Sequence, residues 1–303
     1  MQRRVRNHLI YFFARAAIAV LGLAPSFAAR RAGLILGALG HTLAGAERRL
    51  ARSQIATALD LDKNSNRATL LTRGVFCHLG VSVVELCRIL RSSNNSPDVV
   101  IPPSSRRTLD DALGQGRGVI FVTGHMGNWE LMARFLATEG YPISTMAAKS
   151  YDPRFTRLLE RGRAQFGVDG IYRGQPGSSA RMLRALRNNR VLGMLIDQDT
   201  SVPSVFVPFF GKLAHTPVGA ASLSSRTGAS IVVGSMRRRS DGTHILEMEP
   251  FALADDDLKS TAALTLALER RIRRHPSQWV WFHKRWKTRP DSTSDCAHRK
   301  RAA

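Results

Sequence analysis

The sequence has few cysteines, few lysines and few acidic residues. The 3 cysteines among its 303 residues are too few and too far apart for a disulfide framework or a zinc cluster. Lysine supplies only seven of the 45 cationic side chains, and 23 acidic residues leave a formal net charge of +22. A hydrophobic fraction of 44% excludes a disordered basic protein. This arginine-rich charge implies an anionic partner: a nucleic acid, an acidic membrane surface, or a phosphorylated or acidic substrate.

The N-terminal apolar run at residues 9–24 is interrupted only by Arg15, and it is shorter than the roughly 20 residues that a spanning helix needs. A cleaved signal peptide, a buried helix of a soluble protein and a helix lying in the membrane interface all remain open. Residues 1–60 hold nine arginines and only two acids. An apolar surface edged with arginine favours an anionic membrane face. We therefore expect membrane association from the cytoplasmic side, without a firm span.

The periodicity of apolar residues predicts an α/β fold. Helices are expected through residues 9–60, with breaks near Pro25 and Gly45, and again over residues 66–92. After a polar loop, short apolar runs alternate with helical patterns, which predicts a mixed β-sheet flanked by helices. The predicted strands lie at residues 118–123, 143–147, 191–196, 231–236 and 243–248, and residues 201–216 are expected to form a long loop rich in proline and phenylalanine. This pattern divides the chain into a helical membrane-associating region (1–60), an α/β domain (61–290) and a disordered basic tail (291–303).

His125 and Glu130 flank a glycine-containing turn where a predicted strand gives way to a helix. Ligand sites in open α/β sheets lie at the carboxyl ends of strands. A histidine there can act as a general base when a carboxylate orients its ring, and Glu130 falls in the first turn of the helix, from which it can fold back on the loop. The alternative is an ordinary loop histidine beside an acid that complements the helix dipole. The spacing does not match a zinc-binding motif, and we expect no metal site.

Four segments, taken together and in order, resemble the acyltransferases that add secondary acyl chains to lipid A. That family belongs to the wider lysophospholipid acyltransferase superfamily, which carries a His-x4-acid motif. The segments are His125–Glu130, Ile196–Asp199, Ser204–Gly211 and Trp279–Pro290. The resemblance in order and spacing extends over roughly residues 5–290, and the basic, apolar N-terminus is similar to that family's membrane anchor.

The resemblance implies a glycerolipid-acyltransferase-like fold and a direct transfer mechanism. His125 would take the proton from an acceptor hydroxyl, Glu130 would orient and charge-stabilise His125, and the alkoxide would attack a fatty-acyl thioester. Backbone N–H groups near residues 127–128, or a side-chain cation, would stabilise the oxyanion. The implied donor is acyl-carrier protein or acyl-CoA, and the implied acceptor is a lipid A precursor at the inner membrane, with the catalytic domain on the cytoplasmic face. No cofactor and no acyl-enzyme are expected.

Five further residues are candidates for substrate binding. In the family, an arginine in the setting of Arg173 serves the active site. By the same resemblance Asp197 and Asp199 shape the acceptor or catalytic pocket, although a structural role is equally open. Phe209 belongs to an apolar loop that forms a wall of an acyl-chain pocket, a lip that dips into the membrane, or part of the core. Arg285 lies among tryptophans, a mixture that suits a lipid–water interface and headgroup phosphates.

Other functions are compatible with parts of the sequence. The same chemistry serves an acceptor that is a lysophospholipid, a glycolipid or an aminolipid. The charge alone would also fit a nucleic-acid-binding protein, but the sequence has no helix-turn-helix, zinc-finger or RNA-recognition signature, so nucleic acid is a remote alternative. A periplasmic protein with an incidental His/Glu pair is a further alternative.

Overall fold

The computed structural model describes residues 2–91 and 97–290, so the expected disordered tail at 291–303 lies outside the described residues. The chain opens with four helices, α1 (Gln2–Leu21), α2 (Ser26–Leu43), α3 (Gly45–Ala58) and α4 (Asn66–Arg91). The predicted breaks near Pro25 and Gly45 and the predicted long helix from residue 66 are confirmed. Helices α2 and α4 pack in close contact, since a Cβ on Gly80 would lie 2.3 Å from the carbonyl oxygen of Gly33.

The remaining elements alternate between strands and helices up to residue 195, as predicted, and the later strands include two runs without an intervening helix. The elements are β1 (Val99–Val100), α5 (Pro103–Gly114), β2 (Val119–Thr123), α6 (Trp129–Thr138), β3 (Ile143–Ala147), α7 (Pro153–Ala164), β4 (Asp169–Tyr172), α8 (Ser178–Arg187), β5 (Val191–Leu195), β6 (Ser204–Phe209), β7 (Lys212–Pro217), α9 (Gly219–Thr227), β8 (Ser230–Arg238), β9 (His244–Phe251) and α10 (Asp257–Arg274). The two runs are β5–β7 and β8–β9. Seven strands form one mixed sheet in the order β1-β9-β8-β2-β5-β3-β4. All its pairings are parallel except that of β8 with β9. The α/β expectation is confirmed.

The sheet is covered by helices on both faces, which explains the continuous apolar runs of its central strands. In β2, Val119 and Phe121 belong to a core that contains residues of α4, α5 and α6. Ile120 and Val122 belong to a second core, which contains residues of α8, α9 and α10. Because β2 lies at the centre of the sheet with its side chains buried on both faces, the loop that follows it is held on a rigid support.

The predicted loop at residues 201–216 is wrong. Strands β6 and β7 form an antiparallel hairpin, in which Phe209 pairs with Lys212. The turn residues Phe210 and Gly211 have φ angles of +51° and +73°. Two positive φ angles in succession are typical of the tight turn whose twist matches a two-residue hairpin. Helix α5 has no counterpart among the sequence predictions.

One described helix, α4, is long and apolar enough to cross a membrane by length and composition, but half of its most apolar stretch is buried inside the protein. It also carries buried Glu85 and Arg88 and contributes Ile89 to the core beneath the sheet. These features are typical of a core helix.

Helices α1 and α2 expose a large apolar surface. Eight large apolar side chains on and between these helices are more than half exposed: Phe12, Phe13, Val20, Leu23, Phe27, Ile35, Leu39 and Leu43. Contiguous exposed apolar area of this kind marks a surface that contacts another protein or a membrane.

Candidate active site

His125 and Asp197 meet because the two central parallel strands end in register. Thr123, the last residue of β2, is paired with Leu195, the last residue of β5. His125 and Asp197 each follow two residues later and therefore emerge side by side at the carboxyl edge of the sheet. The Nδ1 atom of His125 lies 2.8 Å from Oδ1 of Asp197. The position beside Nδ1 that the sequence predicts for Glu130 is held by Asp197.

This contact fixes which nitrogen of His125 can act as a base. A carboxylate only accepts, so Nδ1 carries the hydrogen and donates it to Asp197, which leaves the lone pair on Nε2. Within the described chain, Nε2 of His125 has no hydrogen-bond partner, and the side chain is 23% exposed. Trp129 packs edge-on against the imidazole, with 5.0 Å between ring centroids. The ring is therefore held in one orientation with its basic nitrogen accessible.

The Asp197 carboxylate is buried but well supplied with hydrogen-bond donors. Besides the ring of His125, it accepts the backbone N–H of His125 at 2.6 Å and the indole N–H of Trp279 at 2.7 Å. Burial by itself would raise the pKa of Asp197, but the charge and hydrogen bonds of His125, together with the Trp279 donor, outweigh it and lower the pKa. Asp197 is therefore ionised and places a negative charge beside the ring of His125.

The segment after α10 runs against the loop of residues 124–128, which carries His125, and holds it in place. The N–H of Gly127 donates to the carbonyl of Gln278, and the N–H of Val280 donates to the carbonyl of His125. Met126 and Trp279 form an isolated antiparallel bridge between these contacts. Because Gly127 donates to Gln278, its N–H is not free for an oxyanion, whereas this contact does not affect the other expected donors, the Asn128 N–H and a side-chain cation.

The loop that carries His125 is also held by a buried polar cluster. Its members are His78, Glu85, Asn128, Arg238 and His244. Glu85 on α4 accepts from Arg238, from Nε2 of His244 and from the side chain of Asn128. Asn128 in turn caps α6 by accepting the N–H of Leu131 at 3.1 Å. His78 takes an N–H of Arg238 on Nδ1 and donates from Nε2 to the carbonyl of Gly127 at 3.2 Å.

Glu130 forms an ion pair with Arg163 of α7, through both oxygens of its carboxylate. Each side chain is less than a fifth exposed. Burial opposes the positive charge of Arg163, but the neighbouring Glu130 carboxylate outweighs it and raises the pKa of the guanidinium. A narrow apolar crevice of about 20 Å³, lined by residues of α4, α6 and α7, adjoins this pair. Glu130 directly follows Trp129, the residue whose ring packs on His125. The ion pair therefore fixes two charged side chains next to Trp129 in the sequence and on α7.

Asp199 connects the strand end to the hairpin and to the C-terminal segment. Its carboxylate accepts the N–H of Thr288 at 2.7 Å and lies 3.2 Å from Nδ1 of His215. Its own N–H donates to Nε2 of His283. Burial tends to raise the pKa of Asp199, yet these donors lower it overall. Asp199 thus holds structure around the site, next to Asp197 but without contact to His125.

The tryptophan-rich segment lies inside the protein, so the expectation that it sits at a lipid–water interface is wrong for Trp279 and Trp281, which are buried. Arg285 is fully buried and donates to the carbonyl of His215 and to the hydroxyl of Thr216. Burial lowers the pKa of Arg285 to about 10, although Asp197 and Asp199 partly offset it. The Arg285 guanidinium lies over the ring of Phe209, 5.1 Å from the centroid of that ring. Phe209 belongs to the same hydrophobic core as Trp279 and Trp281.

Arg173 is exposed and follows β4, the edge strand. Strand β3 separates β4 from β5, so Arg173 lies at the same edge of the sheet as His125 but further along it. Its backbone N–H donates to the carbonyl of Ala147 at 2.9 Å.

Sequence reasoning missed Arg163 and the role of Trp279. Arg163 is one of many arginines in the chain, and nothing in its spacing distinguishes it. Asp197 is a predicted pocket residue, and the register of the two strand ends accounts for its pairing with His125. Within residues 2–91 and 97–290, no three His, Cys, Asp or Glu side chains cluster so as to hold a metal ion.

Comparison with known proteins shows the family to which the chain belongs. The sequence profile described as bacterial lipid A biosynthesis acyltransferase matches residues 1–288. The chain is 28% identical over 184 residues to a phosphatidylinositol mannoside acyltransferase of Mycobacterium tuberculosis, covering 59% of this chain and 57% of the relative. It is 30% identical over 187 residues to the lipid A biosynthesis lauroyltransferase of Escherichia coli, and this match covers 60% of this chain and 60% of the relative. It is 31% identical over 187 residues to the lipid A biosynthesis palmitoleoyltransferase of the same organism, and this match covers 58% of both chains. Each match therefore spans under two thirds of the relative. The profile match over nearly the whole chain shows that the protein belongs to the bacterial lipid A biosynthesis acyltransferase family.

Proposed function

We propose that this protein is a membrane-associated O-acyltransferase that moves a fatty acyl chain from a thioester to a hydroxyl of a lipid acceptor. The observation that carries the proposal is the contact between His125 and ionised Asp197, with the Nε2 atom of His125 left open. Family membership supports the reaction class.

In the proposed mechanism, Nε2 of His125 takes the proton of the acceptor hydroxyl as its oxygen attacks the thioester carbonyl carbon. Asp197 stabilises the imidazolium that forms, as the buried aspartate does in a Ser-His-Asp triad. The tetrahedral intermediate collapses with cleavage of the carbon–sulfur bond. The imidazolium then returns the proton to the departing thiolate, so that an ester and a free thiol are the products.

The oxyanion needs donors other than the Gly127 N–H, which is already bonded. The first turn of α6, which begins at Trp129, directs the positive end of its dipole towards the loop that carries His125. The Arg163 guanidinium, held by Glu130, supplies the side-chain cation. We assign these two groups to oxyanion stabilisation, with Glu130 acting as the residue that positions Arg163.

The preferred acceptor is a lipid A precursor, and the preferred donor is acyl-carrier protein, with acyl-CoA as the alternative. A phosphorylated glycolipid and an acidic carrier would both exploit the net charge of +22. A glycolipid related to phosphatidylinositol mannoside is a second candidate acceptor, because acyltransferases with that name are among the relatives.

We place the protein at the cytoplasmic face of the inner membrane. The exposed apolar side chains of α1 and α2 and the arginine-rich residues 1–60 support interfacial attachment. This surface is the feature that would bring the active site to a lipid acceptor.

Mass spectrometry of extracted lipids tests the proposal. A strain that lacks the protein should lose one acyl chain from lipid A or from another glycolipid, and the intact gene should restore it. The His125→Ala variant should fail to restore the chain, whereas His275→Ala, a histidine without a side-chain hydrogen bond in the described structure, should succeed. An unchanged lipid profile in the deletion strain would contradict the proposal.

A further inference from the structure

A cavity of about 510 Å³ lies between α2, α4 and the turn that joins β8 to β9. Its walls include Phe27, Arg30 and Arg31 of α2 and Val84 and Arg88 of α4. Glu85 and Arg238 also line it, and this buried pair belongs to the cluster that supports, through Asn128, the loop that carries His125. Neither His125 nor Asp197 is among the lining residues, so the cavity is separate from the acyl-transfer site.

The cavity presents arginines that have no acidic partner. Arg30 donates to the carbonyl of Ser240, and Arg31 lies 6.0 Å from the ring centroid of Phe27. In the part of the chain that the structure describes, neither forms an ion pair with a carboxylate. Guanidinium groups with N–H donors left over are well suited to the oxygens of a phosphate.

Acidic residues also line the cavity, but two of the three have cationic partners. Glu85 is paired with Arg238, and Asp241 lies 3.5 Å from Arg239. Asp98 is exposed at the rim. Glu85 and Asp241 therefore pair with arginines other than those of α2, which leaves Asp98 as the one lining carboxylate without an ion pair among the described residues.

The α2 side of the cavity is apolar and continues onto the exposed face of that helix. Phe27 and Leu34 line the cavity and are 67% and 42% exposed, and Ile35 and Leu39 continue the apolar surface along α2. A ligand that satisfies both the arginines and this surface needs an anionic head and apolar chains. Tight packing of Gly33 against Val81 holds α2 on α4, so the space is preformed.

We propose that this cavity binds one membrane phospholipid, with the headgroup phosphate on Arg30 and Arg31 and the acyl chains along the exposed apolar face of α2. The inference rests on the proposed membrane association. It assigns to the protein a lipid that is neither acyl acceptor nor acyl donor.

Calorimetric titration of the full-length protein in an uncharged detergent tests this site. The probe is dihexanoyl phosphatidylglycerol below its micelle-forming concentration, and we expect saturable binding of one molecule per chain. The double substitution Arg30→Gln with Arg31→Gln should weaken binding at least tenfold. The matched control, Arg270→Gln with Arg274→Gln on the exposed surface of α10, should bind as the unaltered protein does.

Competition by inorganic phosphate and binding by further variants distinguish the possible outcomes. Inorganic phosphate should compete poorly, because it lacks the apolar chains; equal competition would contradict a lipid site. An absence of saturable binding, or equal weakening by both double substitutions, would also overturn the proposal. The His125→Ala variant should bind the probe normally, because His125 does not line the cavity. If the unaltered protein binds phospholipid but transfers no acyl chain, the proposed function fails while this site stands. If it transfers the chain but does not bind phospholipid, this site fails while the proposed function stands.

Discussion

Among single residues, Asp197 decides what His125 can do. Its carboxylate holds the Nδ1 hydrogen and leaves Nε2 as the base. In Asp197→Asn, the amide can present its N–H to Nδ1, which favours the tautomer with the hydrogen on Nε2. We therefore expect kcat to fall by about 10³- to 10⁴-fold, the size of effect known for the equivalent change in a serine protease triad.

The control for that change is Asp199→Asn. Asp199 bonds Thr288 and has no contact with His125, so its loss should reduce kcat much less. Initial rates with a saturating thioester and lipid acceptor measure both variants. Turnover by Asp197→Asn within threefold of the unaltered enzyme would remove Asp197 from the mechanism.

Trp279 is a positioning residue that acts through Asp197. In Trp279→Phe the indole N–H is lost while an aromatic ring remains, so the carboxylate keeps two of its three donors. Since the indole N–H lowers the pKa of Asp197, the substitution should raise that pKa. The loss of kcat/KM on acidification should then begin at a higher pH, with kcat at neutral pH reduced roughly tenfold.

Trp281→Phe is the matched control, because the Trp281 indole donates to the carbonyl of Pro276 instead of to Asp197. It removes a buried indole from the same segment and should leave the pH profile of kcat/KM in place. Identical pH profiles for the two variants would show that Trp279 serves only packing.

At the scale of helices and strands, one buried polar cluster joins α4 and β8 to the turn that carries Gly127. Its members are His78, Glu85 and Arg238. Burial, reinforced by the charge of Arg238, lowers the pKa of His78 from 6.5 to about 3. The unfolded chain therefore binds a proton at His78 at higher pH than the folded chain does. The stability that neutral His78 contributes is complete above about pH 6.5 and is lost as the pH falls towards 3.

Substitution His78→Gln should flatten this part of the stability profile. Glutamine can still donate to Gly127 and accept from Arg238, but it does not titrate. Thermal unfolding followed from pH 7 to pH 4 should show a smaller drop in Tm for the variant than for the unaltered protein. His41→Gln, on the more exposed helix α2, is the control, and parallel profiles for all three proteins would contradict the assigned role of His78.

The elements differ in how far the sequence predicts them. The central strands and the helices between them are predicted well, because strands buried on both faces leave continuous apolar runs. The β6–β7 hairpin is missed because its turn is Phe210–Gly211 rather than an Asn-Gly or Asp-Gly pair, and because Pro208 lies inside a strand. Helix α5 is short and begins with Pro103, in a segment where the pattern alone suggests a loop.

The sequence predicts only part of the site, because several of its contacts join residues that are far apart along the chain. His125 follows from its place at a strand end, but the sequence favours Glu130, the nearest acid along the chain, over Asp197, which lies in register on the adjacent strand. Glu130 instead pairs with Arg163 on α7, a contact between helices that no local pattern encodes. Trp279 approaches from the far end of the chain, where its aromatic neighbours suggest a membrane interface.

For the molecule as a whole, the apolar surface of α1 and α2 should determine membrane binding. Phe12 and Phe13 are 67% and 65% exposed, and burying each ring in the interface contributes about 1.5–3 kcal/mol. The double substitution Phe12→Asp with Phe13→Asp should therefore weaken binding to vesicles containing anionic lipid by at least tenfold. Co-flotation with the vesicles measures the bound fraction.

Exposed apolar residues elsewhere provide the control for that experiment. Leu253 and Leu266 are 38% and 44% exposed and lie near or on α10, away from α1 and α2. Leu253→Asp with Leu266→Asp should leave flotation unchanged. Equal loss for both pairs would assign membrane binding to general hydrophobicity instead of this surface.

The most direct test of the proposed reaction is a single-turnover experiment with the purified protein, an acyl thioester and a glycolipid acceptor. Mass spectrometry should show one acyl chain gained by the acceptor for each thiol released, with no acyl group on the protein at any time, and His125→Ala should abolish both products. Acyl transfer at an undiminished rate by His125→Ala, or an acylated protein that forms and decays during turnover, would contradict direct transfer by the His125–Asp197 pair.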